Sequence, residues 1–232
     1  MNQTHKTVFI ITSLTILAAF FLFALFFNVT SQDGQITPVD KNTEAQQAQL
    51  SFDPLITPAR VIYESYINAS DVVRGNQQAA LSLLVFGDFE CAYCQEFYSN
   101  LNEVWPDYSG RVRLVWKDFP NPSHLNARSA AMAARCADEQ GYFWEYYDSL
   151  FENQSLLSRE LYNMIALDLE LDLPRFNQCL DTKKTAEKVG EGMTQGQELG
   201  VDATPYIFIG NRVFDYALSA DELRQILDEE LD

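Results

Sequence analysis

Residues 81–94 read Leu81-Ser82-Leu83-Leu84-Val85-Phe86-Gly87-Asp88-Phe89-Glu90-Cys91-Ala92-Tyr93-Cys94, and the division of this stretch decides the fold. Its first six residues form a short, mostly apolar run, which suits a buried strand. Beyond the cysteines, Phe97, Leu101 and Val104 recur at helical spacing. A strand therefore runs into a helix, with Cys-x-x-Cys at the junction. There Cys91 meets the unpaired N–H groups and the positive end of the helix macrodipole, both of which favour a thiolate. Cys94 lies one turn on, placed to close a disulfide with Cys91 or to resolve a mixed disulfide. Half of a zinc site is the rival reading. Zinc needs a second ligand pair, and Cys136 and Cys179 are single, widely separated and without a nearby His, so no metal site is expected.

Working outward, Val112–Lys117 alternates like a second strand and stops before Pro120. Four helical stretches are expected next: Ser123–Ala137, Tyr142–Asn153, Ser158–Asp168, and a last one opened by Asp172-Leu173-Pro174 as cap and first-turn Pro. Tyr206–Ile209 and Arg212–Phe214 flank Gly210-Asn211, a two-residue hairpin signal. Ser219-Ala220-Asp221-Glu222 is a capping box before a helix that turns Leu223, Ile226, Leu227 and Leu231 inward. The order is α/β with a block of helices in the middle. The segment between Pro58 and Asn68 reads as either helix or edge strand.

Sixteen basic residues stand against 33 acidic ones in 232, a formal charge of −17. That excludes a nucleic-acid binder, which needs basic surface to displace counterions. Lys6 is the one Lys, Arg, Asp or Glu among residues 1–28, so fifteen basic and 33 acidic residues leave −18 on the rest. From Val8 to Phe27 the only polar residues are Thr12, Ser13 and Thr15. As a helix this stretch would span about 30 Å, the thickness of a bilayer's hydrocarbon core. An uncut anchor is expected, a cleaved signal peptide being the alternative. The positive-inside bias puts the N-terminus in the cytoplasm and the bulk of the chain outside. Residues 29–57 or so, rich in Gln, Thr, Asp and Ser, read as a flexible tether.

Gly75-Asn76-x-x-Ala79, the run Leu84–Cys94, Lys117-Asp118-Phe119-Pro120, Ser123-His124-x-Asn126-Ala127, Gly141-x-Phe143-Trp144-x-Tyr146-x-Asp148-x-Leu150-Phe151 and Gly200-Val201-x-Ala203-Thr204-Pro205 occur in that order. Together they resemble the DsbA-like branch of the thioredoxin superfamily over about residues 71–230. The resemblance implies a thioredoxin fold with an inserted all-helical subdomain at about 120–197, preceded by one N-terminal transmembrane helix. The expected division is residues 1–28 as cytoplasmic stub and anchor, 29–70 as linker, and 71–232 as the DsbA-like domain. It implies a dithiol–disulfide oxidoreductase outside the cytoplasm, with Cys91 and Cys94 as the redox pair and no other cofactor. It also implies a cis Thr204-Pro205 bond facing the pair, beside which an extended client segment would lie.

The expected enzyme introduces disulfides into exported proteins at the bacterial cytoplasmic membrane. Its clients are reduced or misoxidised exported proteins, a quinone-coupled membrane oxidase regenerates it, and it acts as a monomer. A reductase or isomerase, or a redox-inactive binding module, is the alternative.

Two departures from the family stand out. The strongly oxidising relatives carry Pro-His between the cysteines, where this chain has Ala92-Tyr93. The buried acid that some thioredoxins carry six residues before the first cysteine is Val85 here. Proton transfer with Cys94 would then use another group or water. Asp88 and Glu90 are the nearest carboxylates, equally readable as caps and solvated charges at a helix start. Glu90, Tyr93 and His124 are candidates for tuning the site, although His124, near a helix start, reads more simply as a surface or packing residue. An oxidising compartment favours a structural disulfide between Cys136 and Cys179; buried free thiols or a second redox couple are the alternatives.

Overall fold

The computed structural model describes residues 62–232. The expected membrane helix over 8–27 and most of the tether lie outside them. Among the described residues no helix is long and apolar enough to cross a membrane.

The central element is β2 (Leu81–Gly87), buried along its whole length. It runs parallel to β3 (Val112–Asp118) and antiparallel to β4 (Tyr206–Ile209), which makes it the middle of a five-stranded sheet ordered β1-β3-β2-β4-β5. Successive side chains of a strand point to opposite faces. Leu83 and Val85 therefore enter the larger core, while Leu84 and Phe86 enter a smaller one with Tyr63, Val115, Val201 and Phe208. Burial on both faces is why the run is apolar rather than alternating.

The edge strands are short. β1 (Val72–Gly75) pairs antiparallel with β3, and β5 (Arg212–Phe214) closes a hairpin on β4 across Gly210, whose φ is +56°. That positive φ is one that a residue with a Cβ adopts at a cost. The ambiguous segment before Asn68 resolves as neither a full helix nor an edge strand. Residues 62–64 are helical and turns follow them. The edge strand lies further on at Val72, where two apolar residues between Asp71 and Arg74 are too few to show a period.

Between β2 and β3, α1 (Ala92–Tyr108) packs Phe97, Leu101 and Val104 into the larger core. After β3 come α2 (Ala127–Asp138), α3 (Phe143–Glu152), a 3-10 turn (Gln154–Leu156), α4 (Arg159–Asp168), α5 (Leu173–Asp181) and α6 (Ala186–Glu198). Ser158 caps α4 and Asp172 caps α5 through backbone N–H bonds. The stretch opened by Asp172 ends at Asp181, and α6 is a fifth helix that the sequence reading did not separate. Its glycines hide it from a propensity argument, and packing requires them. A Cβ on Gly192 would lie 2.5 Å from the Asp118 carbonyl oxygen, and one on Gly196 would lie 2.6 Å from the Phe119 ring. α7 (Ala220–Leu231) opens with the capping box of Ser219 and Glu222.

An aromatic cluster joins sheet, active-site loop and helical block. Phe89 lies 5.2 Å from Trp116 and 5.1 Å from Phe151, and Tyr147 lies 4.9 Å from both Trp116 and Phe151. Two buried ion pairs anchor β3 to its neighbours, Asp118 to Arg135 of α2 and Lys117 to Asp71 just before β1, each at 2.6 Å. Cys136 of α2 is bonded to Cys179 of α5, S–S 2.04 Å, inside the helical block.

Candidate active site

Cys91 is the N-cap of α1, with extended backbone (φ −80°, ψ 123°) and no side-chain capping bond to the helix N–H groups. Those groups are left to polarise sulfur. Cys91 keeps 8% of its surface exposed and Cys94 2%, and both are free thiols. The Cys91 thiol lies 3.2 Å from the Thr204 carbonyl, and Thr204-Pro205 is a cis bond. The chain entering β4 thus stands against the start of α1, 113 residues away in sequence.

The electrostatics separate the two thiols. Cys91 is pulled down to about 5, first by the hydrogen bond from the Cys94 thiol and then by the Thr204 side chain and the N–H groups of Cys94 and Tyr93, against the penalty of burial. Cys94 is pushed well above the ordinary thiol range by burial, and further by its bond to Cys91 and the charge there. In the reduced pair Cys91 is therefore the thiolate and Cys94 the thiol. This asymmetry suits the less buried member to nucleophilic attack and to departure as a leaving group.

Asp88 and Glu90 are not caps of α1. The Asp88 side chain is fully buried: Oδ1 accepts from the Glu90 N–H at 2.7 Å, and Oδ2 from the Asn121 N–H at 2.8 Å and His124 Nδ1 at 2.7 Å. Its backbone touches both cysteines, the N–H donating to Cys94 Sγ at 3.4 Å and the carbonyl accepting from the Cys91 N–H at 3.2 Å. Glu90 reaches across to α2, accepting from the N–H of Asn126, that helix's N-cap, at 2.5 Å. His124 is raised above its ordinary range: burial opposes protonation, and the bond and charge of Asp88, with the charges of Cys91 and Glu90, outweigh it. Tyr93 stands 65% exposed between the cysteines.

One contact had no signal in the sequence. Gln154, in the 3-10 turn, donates its amide to the carbonyls of Phe89 and Cys91, each at 2.9 Å. It lines an open pocket of about 390 Å³ with Glu90, Gln95, Asn126, Ser155 and Leu157. Cys136 and Cys179 lie elsewhere, bonded to each other. Among the described residues no group of three His, Cys, Asp or Glu side chains is placed to hold a metal ion.

Comparison with known proteins agrees with this architecture. The chain is similar to Na(+)/H(+) antiporter NhaA 3 from Salinispora tropica, with 35% identity over 143 residues, 61% of this chain and 22% of that protein. A protein titled Na(+)/H(+) antiporter NhaA from Herminiimonas arsenicoxydans is 33% identical over 142 residues, again 61% of this chain and 22% of the relative. The chain thus spans about a fifth of the length of these curated relatives. Among solved structures, α-DsbA2 from Wolbachia pipientis, titled a thiol-disulfide exchange protein, superposes with a TM-score of 0.67 at 20% identity, covering 76% of this chain and 96% of that one. Oxidised BdbD from Bacillus subtilis gives 0.64 at 23% identity, covering 69% and 92%. The fold is that of the DsbA-type proteins. With the thioredoxin family model matching residues 68–229, which contain the sheet, the helical block and both cysteine pairs, the chain belongs to the thioredoxin family.

Proposed function

We propose that this protein is a thiol–disulfide oxidoreductase that donates the Cys91–Cys94 disulfide to reduced exported proteins. The observation that carries the reading is the asymmetry of the pair, Cys91 at the helix N-cap beside the Thr204 carbonyl with its pKa lowered to about 5, and Cys94 more deeply buried behind it with its pKa raised. A client thiolate attacks Cys91 Sγ, the Cys91–Cys94 bond breaks, and its electron pair leaves on Cys94, which takes up a proton. A second client thiolate then attacks the client sulfur of the mixed disulfide, and Cys91 leaves as thiolate. The client gains a disulfide and the pair holds two electrons. A thiolate this stable favours departure of Cys91, which supports the oxidase direction over reductase or isomerase. A membrane oxidase passing electrons to quinone would regenerate the disulfide, and the apolar stretch 8–27 would tether the domain outside the cytoplasm.

A second reading is a thioredoxin-fold module that binds at a membrane complex without turning over; the likeness to proteins titled as antiporters supports it. The Cys91–Cys94 equilibrium in a glutathione buffer separates these readings. The oxidase reading expects a potential well above thioredoxin's, about −270 mV. A value near thioredoxin's overturns the direction, and a pair that never exchanges favours the binding module.

A further inference from the structure

Asp88 is a buried carboxylate whose own backbone bonds both sulfur-bearing residues, and the titratable side chain against it is His124. A carboxylate is thus carried by a residue whose backbone bonds the redox pair, on which a second negative charge forms when Cys91 is reduced. An uncompensated carboxylate there would oppose the thiolate. We propose that His124 is a positioning residue that neutralises Asp88 when protonated, so that its protonation shifts the redox equilibrium of Cys91–Cys94. The inference rests on the oxidoreductase reading and adds its regulation by pH.

The geometry gives His124 this role on two counts. Its Nδ1 lies 2.7 Å from Asp88 Oδ2, while its ring stays 30% exposed and can exchange protons with solvent. Its loop is held in register with the active-site loop: the Asn121 N–H bonds Asp88 Oδ2, the His124 N–H bonds the Asn121 carbonyl at 3.0 Å, and the Asn126 N–H bonds Glu90. The titratable groups acting on His124 are Asp88 and Glu90 from the β2–α1 loop and Cys91 at the start of α1, all acidic and all favouring the imidazolium.

A negative charge appearing on Cys91 holds the His124 proton more tightly, so reduction of the disulfide draws a further proton onto His124 between its oxidised and reduced midpoints. Low pH then favours the dithiolic form more than the cysteines alone require, and the advantage fades once His124 is neutral. A surface His with no link to the pair would titrate identically in both redox states.

The experiment follows the imidazole resonances of the whole protein by NMR in its oxidised and reduced forms; His5 is the one other histidine and serves as internal control. The His124 midpoint is expected at higher pH in the reduced protein, with His5 unmoved. In glutathione buffers, His124→Gln should shift the equilibrium about two- to fivefold toward the disulfide near pH 6, the size of a partly exposed ion pair. It should change little near pH 9. His124→Lys, charged throughout, should restore the low-pH equilibrium and carry it to high pH. Equal His124 midpoints in the two redox states, or an unchanged profile in His124→Gln, overturn this inference alone. A wild-type pair that exchanges with glutathione at no pH overturns the oxidoreductase reading and this inference with it.

Discussion

The four cysteines form two pairs whose surroundings are opposites. Cys91 and Cys94 sit three residues apart at a helix start, among N–H groups aimed at sulfur and the Thr204 carbonyl. Cys136 and Cys179 are 43 residues apart, on two helices of the insertion, buried in the larger core with Thr185 as the nearest polar contact at 3.8 Å. Neither of these sulfurs stands at a helix N-terminus, and both are buried, so the attack of an outside thiolate on this bond is disfavoured. The same residue type thus serves two ends. Its reactivity is set by helix termini and loop ligands, its structural effect by the length of chain it closes.

The sharpest way to break this comparison is to remove one pair at a time. Cys91→Ser should lower exchange with glutathione or a reduced peptide by more than about a thousandfold, since the hydroxyl cannot form the mixed disulfide. Thermal unfolding of the reduced variant should stay close to that of the reduced parent below about pH 5, where the Cys91 thiolate no longer contributes stability. A variant that retains exchange would show that Cys91 is not the nucleophile.

The opposite signature is expected from Cys136→Ala with Cys179→Ala. A loop of this length contributes about 4 kcal/mol when closed, so the midpoint of denaturation should fall substantially. Exchange through Cys91 should persist at temperatures where the variant is folded. Loss of exchange in a folded variant would mean that the pairs are coupled, and the contrast drawn above would fail.

These two environments were not equally legible in the sequence. The strand–Cys-x-x-Cys–helix junction could be read directly, because the apolar run, the spacing and the helical period all lie within about twenty-five residues. Capped elements were read well for the same reason: Ser158, Asp172 and the Ser219–Glu222 box act locally. What escaped depends on distant chain. α6 was missed because Gly190, Gly192 and Gly196 lower helix propensity, and only the backbone of Asp118 and the Phe119 ring explain the last two. Gln154 meets Cys91 across 63 residues with no motif to announce it. The sequence leaves Asp88 open between a proton-transfer group and a cap or solvated charge, since no local pattern reveals that residues 121–124 fold over it.

The smallest effect tests how far Cys94 makes Cys91 what it is. Its thiol is the first cause of the depressed Cys91 pKa, so Cys94→Ala should move the pH midpoint of Cys91 alkylation upward from about 5. The N–H groups of the helix start remain, and the midpoint should stay below the ordinary thiol range. Deleting a buried thiol also leaves a small cavity, costing about 1 kcal/mol at every pH. The two effects separate by linkage. A depressed folded pKa contributes stability that is fully present above the unfolded thiol's range and is lost as pH falls through about 5. The reduced parent should therefore gain stability over Cys94→Ala as pH rises from about 5 to 9, on top of a constant offset. A difference in stability that is flat with pH, with an unmoved alkylation midpoint, would assign the Cys91 thiolate to the helix terminus alone.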